Sequence, residues 1–497
     1  MPVQARPAAE LNVLHVCAEV YPWLKTGGLA DVAAALPVAL NRLGCDTRLL
    51  VPGFPALCAA IGARRLVAVL PARPGAAEIR LTAGTLPNGI ATYVIEAPAL
   101  YDRPGNPYAG AANIAYADND RRFALLGWVA ARLAQGLDTA WQPHVVHGHD
   151  WHAGMAPAYL RAAQRSGAPH MPGSVLTIHN LAYQGTFPAA AFGELGLPAD
   201  FYGMNGVEFY GQVSFLKAGL YYADRITTVS PTYAREIQTA AQGCGLQGLL
   251  AGRAHDLTGI LNGVDPAVWN PASDAAIAAH YDAASLAGKD ACRHALQAET
   301  GLAPQRQAPL FGIISRLTDQ KGLHLVLGGL PALIAQGAQL VLLGTGDAAL
   351  EQAFRDAAKA HPSAISVEIG YDEDKAHRIV AGCDVILVPS RFEPCGLTQL
   401  YGLAYGTLPL VRRVGGLADS VVDASPAHIA EGSATGFVFD AFDTGAFIAT
   451  LERAVASFAR PQVWQALQQR AMRACFTWEA AAAQLLPLYR QIAPLPA

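Results

Sequence analysis

Six short segments of this chain concentrate residue types that bind phosphates and sugar hydroxyls. They are Lys25–Asp31, His149–His152, His179–Asn180, Asn262–Asp265, Arg316–Lys321 and Glu393–Thr398. Arg316 and Lys321 stand five residues apart. On a helix that spacing turns them roughly 140° away from each other. On a loop, which Gly322 favours, both can converge on one anion. A guanidinium and an ammonium on a diphosphate would stabilise the charge that grows on a departing nucleotide. The same pair is also what a solvated surface provides. Glu393 opens a turn, Pro394-Cys395-Gly396-Leu397-Thr398, that leads into an expected helix over 399–405. The glutamate suits sugar hydroxyls, and the N–H groups of Cys395, Gly396, Leu397 and Thr398 suit a distal phosphate. The plainer reading is an acid that complements a helix dipole.

Lys25, Gly27 and Gly28 sit in a glycine-bearing turn, with Asp31 just beyond it. Glycines between a strand and a helix let backbone N–H groups approach a phosphate, and the lysine adds a mobile cation. An ordinary turn with a solvated lysine fits as well. The pattern is not G-x-G-x-x-G, so a dinucleotide is not indicated. His147, His149 and His152 raise the question of a metal. Neither a carboxylate-rich set nor a cysteine set accompanies them, so no metal site is expected. One of these histidines is expected to pack in the core, while Asp150 and its neighbours hydrogen-bond a substrate hydroxyl. His179, followed by Asn180, is a histidine at a strand end. Such residues are commonly structural, but the polar company here favours a site.

These residues need elements to position them. Apolar, β-rich runs at 11–17, 47–51, 144–147, 174–178 and 225–229 read as strands, as do 310–314, 339–343, 365–369, 385–388 and 408–411. Helical patterns such as 30–43 and 120–135 fall between them, which predicts an α/β fold with parallel sheets. Nearly every candidate residue follows the carboxyl end of a predicted strand, where ligands bind in such sheets. The runs from Leu11 and Leu310 each lead into a basic, glycine-bearing turn and then a helix. Two Rossmann-like domains follow: residues 1–256, and 257–476, with a last helix in 477–497 crossing back to the first.

Composition narrows the field. The 497 residues are 52% hydrophobic and 15% charged, as large doubly covered sheets require. The net charge of −4 favours neither nucleic acid nor an anionic membrane as a partner. Eight cysteines scattered without a C-x-x-C pair, and no apolar leader after Met1, predict a cytoplasmic protein with reduced thiols. The uncharged stretch 322–346 is broken by Pro331 and by glycines at 328, 329 and 337. It reads as a helix followed by a strand, not as a membrane span.

Longer stretches around these residues resemble bacterial glycogen synthases and plant starch synthases. They are Lys25-Thr26-Gly27-Gly28-Leu29-Ala30-Asp31-Val32, His149-Asp150-Trp151-His152-Ala153-Gly154, Thr177–Gly185, Leu261–Asp265, Ser315–Gly322 and Pro389–Gln399. The likeness runs from about Leu11 to the C-terminus and, with no transit segment, fits the bacterial form better. It implies a GT-B fold, two Rossmann-like domains facing across a deep cleft. It also implies a retaining transfer of glucose from ADP-glucose to an α-1,4-glucan, with no metal or other cofactor. By the same likeness Arg316 and Lys321 hold the diphosphate, and Glu393 touches the donor glucose. Asp150 and His179 line the sugar site with Asn262 close by, Tyr371 packs near the adenine, and Lys25 belongs to the donor-binding motif. A sucrose- or trehalose-type transferase commonly carries a second glutamate eight positions after the first, where this chain has Tyr401. A pyridoxal-dependent phosphorylase would need a lysine motif that is absent. A catalytically silent glucan-binding protein should have lost some charged site residues, and all are present.

Overall fold

The computed structural model describes residues 11–110 and 114–494. They form two compact units, Met1–Gly263 with Trp478–Ala497, and Val264–Thr477. The first unit is built on a nine-stranded sheet. Its strands are β1 (Leu11–Val16), β2 (Cys45–Pro52), β3 (Arg65–Leu70), β4 (Ile79–Thr85), β5 (Ala91–Glu96), β6 (Val145–His149) and β7 (Gly173–Ile178). A separate three-stranded sheet then intervenes, β8 (Thr186–Pro188), β9 (Glu208–Phe209) and β10 (Gln212–Ser214), before β11 (Arg225–Thr228) and β12 (Leu257–Gly259) complete the large one.

The order of the large sheet is β12-β11-β7-β6-β1-β2-β5-β4-β3. From β12 to β5 every neighbour is parallel, and only the pairs β5–β4 and β4–β3 are antiparallel, so β4 alone runs against the rest. β6 and β7 are buried along their whole length, although β6 carries His147 and His149 and β7 carries Ser174 and Thr177. β3 is largely exposed on its outer edge, and the sequence reading did not separate β3, β4 and β5 as strands. β12 pairs with β11 in register Ile226–Leu257 to Thr228–Gly259. The first unit therefore extends to Gly263, beyond the division expected after residue 256. An edge strand of three residues is too short to announce itself in sequence. The C-terminal helix Trp478–Ile492 belongs to the first unit, where Trp478, Leu485 and Tyr489 share a core with Leu11, Val13, Leu36 and Val145.

The second unit carries β13 (Leu310–Ile314), β14 (Gln339–Gly344), β15 (Ile365–Ile369), β16 (Val385–Val388), β17 (Leu408–Arg412) and β18 (Phe437–Phe439). All are parallel, in the order β15-β14-β13-β16-β17-β18. The apolar stretch 322–346 resolves into the helix Leu323–Ala335 and strand β14. Among the described residues no helix is long and apolar enough to cross a membrane.

Both sheets reverse winding direction next to their first strand. In the first unit the reversal lies between β1 and β6, and in the second between β13 and β16. The two loops that leave such a pair of neighbouring strands diverge, opening a crevice at the carboxyl edge. That is where most of the candidate residues sit.

Candidate functional site

In the second unit, the loops after β13 and β16 are laced together. Arg391 N donates to Gln320 O (2.8 Å), and the Gln320 amide donates to Phe392 O (3.3 Å). Lys321 Nζ reaches Glu393 Oε2 at 2.5 Å, and Ser390 Oγ donates to the same oxygen at 2.8 Å. Glu393 is buried, whereas Lys321 keeps part of its surface exposed. A lysine ammonium has three donors, so the contact with Glu393 leaves Lys321 able to meet an anion. Gly322 adopts φ +66°, and a Cβ there would lie 2.1 Å from Pro389 O. Only glycine permits the close approach that brings these two loops together. Arg316 follows β13 directly and is exposed. Tyr371 follows β15, is 69% exposed, and donates its hydroxyl to Glu373.

The turn 395–398 has a support that sequence reasoning missed. The Gln399 amide donates to Cys395 O (3.0 Å) and Gly396 O (2.9 Å). A trans peptide points its C=O and N–H in opposite directions. With those carbonyls turned in to Gln399, the N–H groups of Gly396 and Leu397 point away from it, ready for an acceptor. The helix that follows runs Thr398–Ala404. Gly415 and Gly416, after β17, brace the same loop from the other side, and Gly416 N donates to both Glu393 O and Pro394 O (3.1 Å each). A Cβ on Gly415 would fall 1.9 Å from Glu393 O. The Val-Gly-Gly-Leu string after a strand was the available signal.

In the first unit, Glu19 organises the turn that carries Lys25. Its buried carboxylate accepts from Thr26 N (2.5 Å), Thr26 Oγ1 (2.6 Å), Gly27 N (3.3 Å) and the Tyr108 hydroxyl. This corrects one sequence expectation. The Gly27 N–H is committed to a carboxylate, so it does not form part of a ready phosphate cradle with Gly28. Gly28 opens the helix Gly28–Arg42, whose first-turn N–H groups have no partner within the helix. Lys25 pairs with Asp31 at 3.1 Å and lies over the Tyr21 ring at 4.8 Å. Sequence gave Glu19 no role, because its work is done on backbone groups of a loop.

Asp150 occupies a left-handed backbone conformation, φ 54°, uncommon outside glycine and a mark of functional sites. Its Oδ1 accepts from His179 N (2.7 Å) and Asn180 N (3.3 Å), tying the end of β6 to the end of β7. Burial raises its carboxyl to about 7 against the pull of those two N–H groups, with the negative charge of Glu19 adding to the rise. His179 and Asn262 line one recess with His149, Thr177, Thr227 and Trp478.

The three histidines flagged for a metal part company. His152 is buried against Tyr108, rings stacked at 4.6 Å, and burial lowers it to about 3. His147 and His149 instead meet His15 of β1, with ring nitrogens within 4.8 Å of one another. Three imidazoles are a donor set that zinc or copper takes. Here, however, the nitrogens are used by one another and by hydroxyls, through His15–His149 (2.9 Å), His149–His179 (3.0 Å), His147–Tyr489 (2.7 Å) and His147–Thr177 (2.5 Å). Burial holds all four rings neutral, with His15 and His179 lowered to about 3 and His147 and His149 well below their ordinary value.

The candidates thus fall into two sets, one in each unit. Lys25 with Asp31, and Asp150 with His179, Asn180 and Asn262, are gathered in the first. Lys321 with Glu393, beside the turn from Cys395 to Thr398, forms the second. Tyr401, where related transferases place another glutamate, is packed flat against Trp269 with centroids 3.8 Å apart. It is a stacking residue, not a sugar-binding acid.

Comparison with known proteins covers nearly the whole chain. Residues 12–252 match the family described as starch synthase catalytic domain, and residues 308–457 match glycosyl transferases group 1. The chain is 57% identical to a glycogen synthase of Francisella philomiragia subsp. philomiragia, over 97% of this chain and 100% of that protein. It is 56% identical to a glycogen synthase of Francisella tularensis subsp. novicida, over 97% and 99%. Among solved structures, the catalytic domain of starch synthase IV from Arabidopsis thaliana, bound to ADP and acarbose, superposes with a TM-score of 0.86. It is 31% identical and covers 97% of this chain and 99% of that one. A sucrose-phosphate synthase from Thermosynechococcus elongatus, 17% identical with a TM-score of 0.59 over 97% and 99%, shares the fold alone.

Proposed function

This chain belongs to the family of bacterial glycogen synthases and starch synthase catalytic domains, and from that premise we propose how it works. It is a retaining glycosyltransferase of the GT-B class that transfers glucose from ADP-glucose to the non-reducing end of an α-1,4-glucan. In our reading the diphosphate lies at the carboxyl edge of the second sheet. Arg316 and Lys321 take its charge, and the outward N–H groups of Gly396 and Leu397, followed by Thr398, take its distal oxygens. Glu393 meets hydroxyls of the donor glucose, and Tyr371 lies along the adenine. Asp150, His179 and Asn262, with Asn180 beside them, bind sugar hydroxyls on the first unit, where Lys25 and Gly28 belong to the donor motif.

The observation that carries this reading is the Lys321–Glu393 contact across the winding reversal of the second sheet. It places an anion-binding cation and a hydroxyl-binding carboxylate within one hydrogen bond of each other, as a sugar joined directly to a phosphate requires. As the anomeric C–O bond breaks, negative charge collects on the departing phosphate. Fixed cations there stabilise the transition state more than the ground state, and losing one such donor typically costs about 100- to 1000-fold in rate. The reading calls for no metal, because Arg316 and Lys321 supply the positive charge. Free cysteines, with five of the eight buried, fit a reducing cytoplasm.

The test is incorporation of labelled glucose into glycogen from ADP-glucose and, separately, from UDP-glucose. We expect ADP-glucose to be the better donor and the new linkages to be α-1,4 by NMR. Absence of incorporation, a preference for UDP-glucose, or a β-linked product would overturn the assignment.

A further inference from the structure

Beneath the sugar-binding edge of the first unit runs a line of buried hydrogen bonds. His179 Nε2 meets His149 Nδ1 at 3.0 Å, and His149 Nε2 meets His15 Nδ1 at 2.9 Å. His15 Nε2 lies 3.4 Å from the Tyr489 hydroxyl, which is 2.7 Å from His147 Nδ1. His147 Nε2 then meets Thr177 Oγ1 at 2.5 Å, and Thr177 meets Thr227 at 2.6 Å. His15, His147, His149 and Tyr489 are fully buried. Tyr489 comes from the C-terminal helix, hundreds of residues from its partners in sequence. None of these groups below His179 reaches the recess where a hydroxyl of the substrate would bind, apart from His149 and the threonines at its wall.

A neutral imidazole has one N–H and one lone pair, so a run of three must point one way throughout. We take the direction from the shorter link to the phenol, since an O–H donor makes the shorter bonds. Tyr489, the stronger donor, gives its proton to His147 Nδ1 and accepts from His15 Nε2–H. His15 Nδ1 then accepts from His149 Nε2–H, and His149 Nδ1 accepts from His179 Nε2–H. At the other end His147 Nε2–H donates to Thr177. The geometry points to His149, backed by His15 and Tyr489, as a positioning residue that holds His179 in its Nε2–H tautomer, leaving Nδ1 as a hydrogen-bond acceptor for a hydroxyl of the sugar. This rests on the reading above that His179 lines the sugar site. The neutrality of all four rings, enforced by burial, keeps the polarity from being scrambled by a stray proton.

Two substitutions of similar size separate a hydrogen-bond role from a packing role. His149→Gln keeps an amide oxygen to accept from His179 and an N–H to donate to His15, whereas His149→Leu fills the space and offers neither. We expect His149→Leu to lower kcat about 10- to 100-fold, the scale of a misplaced reacting group, with KM for ADP-glucose changed less than about threefold. His149→Gln should retain kcat within about fivefold of the parent. Nitrogen-15 spectra of the imidazoles in the unliganded full chain give a readout independent of turnover. His179 should be the Nε2–H tautomer in the parent and in His149→Gln, and a mixture in His149→Leu. A parent His179 carrying its proton on Nδ1, equal loss of kcat in both variants, or a native tautomer and kcat in His149→Leu would each overturn the inference. If the chain transferred no glucose, the function itself would fail, while the spectra would still decide the tautomer.

Discussion

With Glu393 serving the sugar and Lys321 the phosphate, as proposed, their contact makes an unusual demand, because the carboxylate sits on the cation. Glu393→Gln removes one negative charge and keeps the shape, and the amide oxygen can still accept from Lys321 and Ser390. A phosphate oxygen bound one hydrogen bond beyond Nζ would lie about 5 Å from the carboxylate. At an effective dielectric near 20, a unit charge at that distance repels another by about 3 kcal/mol. Lys321 is partly exposed, with its side chain 19% accessible, so water screens a good part of this. Discounting by about half leaves roughly 1.4 kcal/mol, or about tenfold in affinity. Glu393→Gln should therefore bind ADP about tenfold more tightly than the parent while its kcat for glucose transfer collapses. Titration calorimetry with ADP, which lacks the glucose, isolates the charge effect from any lost sugar contact. Equal or weaker ADP binding in a folded Glu393→Gln protein would refute the argument that the two roles compete for one side chain.

Glu19→Gln puts an amide where the carboxylate now takes donors from Thr26, Gly27 and Tyr108. We expect a stability loss of roughly 2 kcal/mol in urea and about a tenfold rise in KM for ADP-glucose, with a native KM as the contrary result. For Asp150, burial holds the folded carboxyl at about 7, above its ordinary range. Between about pH 4 and pH 7 the folded chain therefore keeps a proton that the unfolded chain has released. This group makes stability fall as pH rises across that window and contributes no slope above it. Asp150→Asn should flatten that part of the profile, which urea midpoints measured at about pH 5 and pH 7.5 will show; an undiminished slope would count against the assignment.

How much of this was legible before any coordinates depends on how each residue acts. Strands buried on both faces, such as β7 and β14, declare themselves as apolar runs, and the polar residues after them mark the carboxyl edge. Lys321, Glu393, Asp150 and His179 were found that way. β3 and β4 were not, because an antiparallel edge pair with an exposed face carries a weaker, alternating pattern. Glu19, Gln399, Gly415 and Gly416 were missed for a different reason. They act on backbone groups of neighbouring loops, and nothing in a side chain's type reveals which carbonyl or N–H it will face. His15 lies 134 residues from His149, and only the pairing of β1 with β6 makes them neighbours.

The two edges also differ in charge, and that difference sorts the two kinds of ligand chemistry. At the edge of the first sheet stand Glu19, Asp31 and Asp150, with Lys25 already paired to Asp31 and the histidines held neutral. Such an edge, with Asp150 largely protonated below about pH 7, suits hydroxyl groups, which both donate and accept. At the edge of the second sheet Arg316 and Lys321 stand beside the buried Glu393, Asp319 of the same loop is paired with Arg391, and the N–H groups of Gly396 and Leu397 turn away from Gln399. In the proposed reading a diphosphate is drawn there, and the carboxylate beside it serves the sugar. On the proposed reading Lys321, with donors to spare, holds the phosphate and Glu393 at once, and so sets the carboxylate beside the glucose that the phosphate carries. The phosphate and sugar contacts of that reading are thus set side by side by two loops that meet where the sheet reverses its winding.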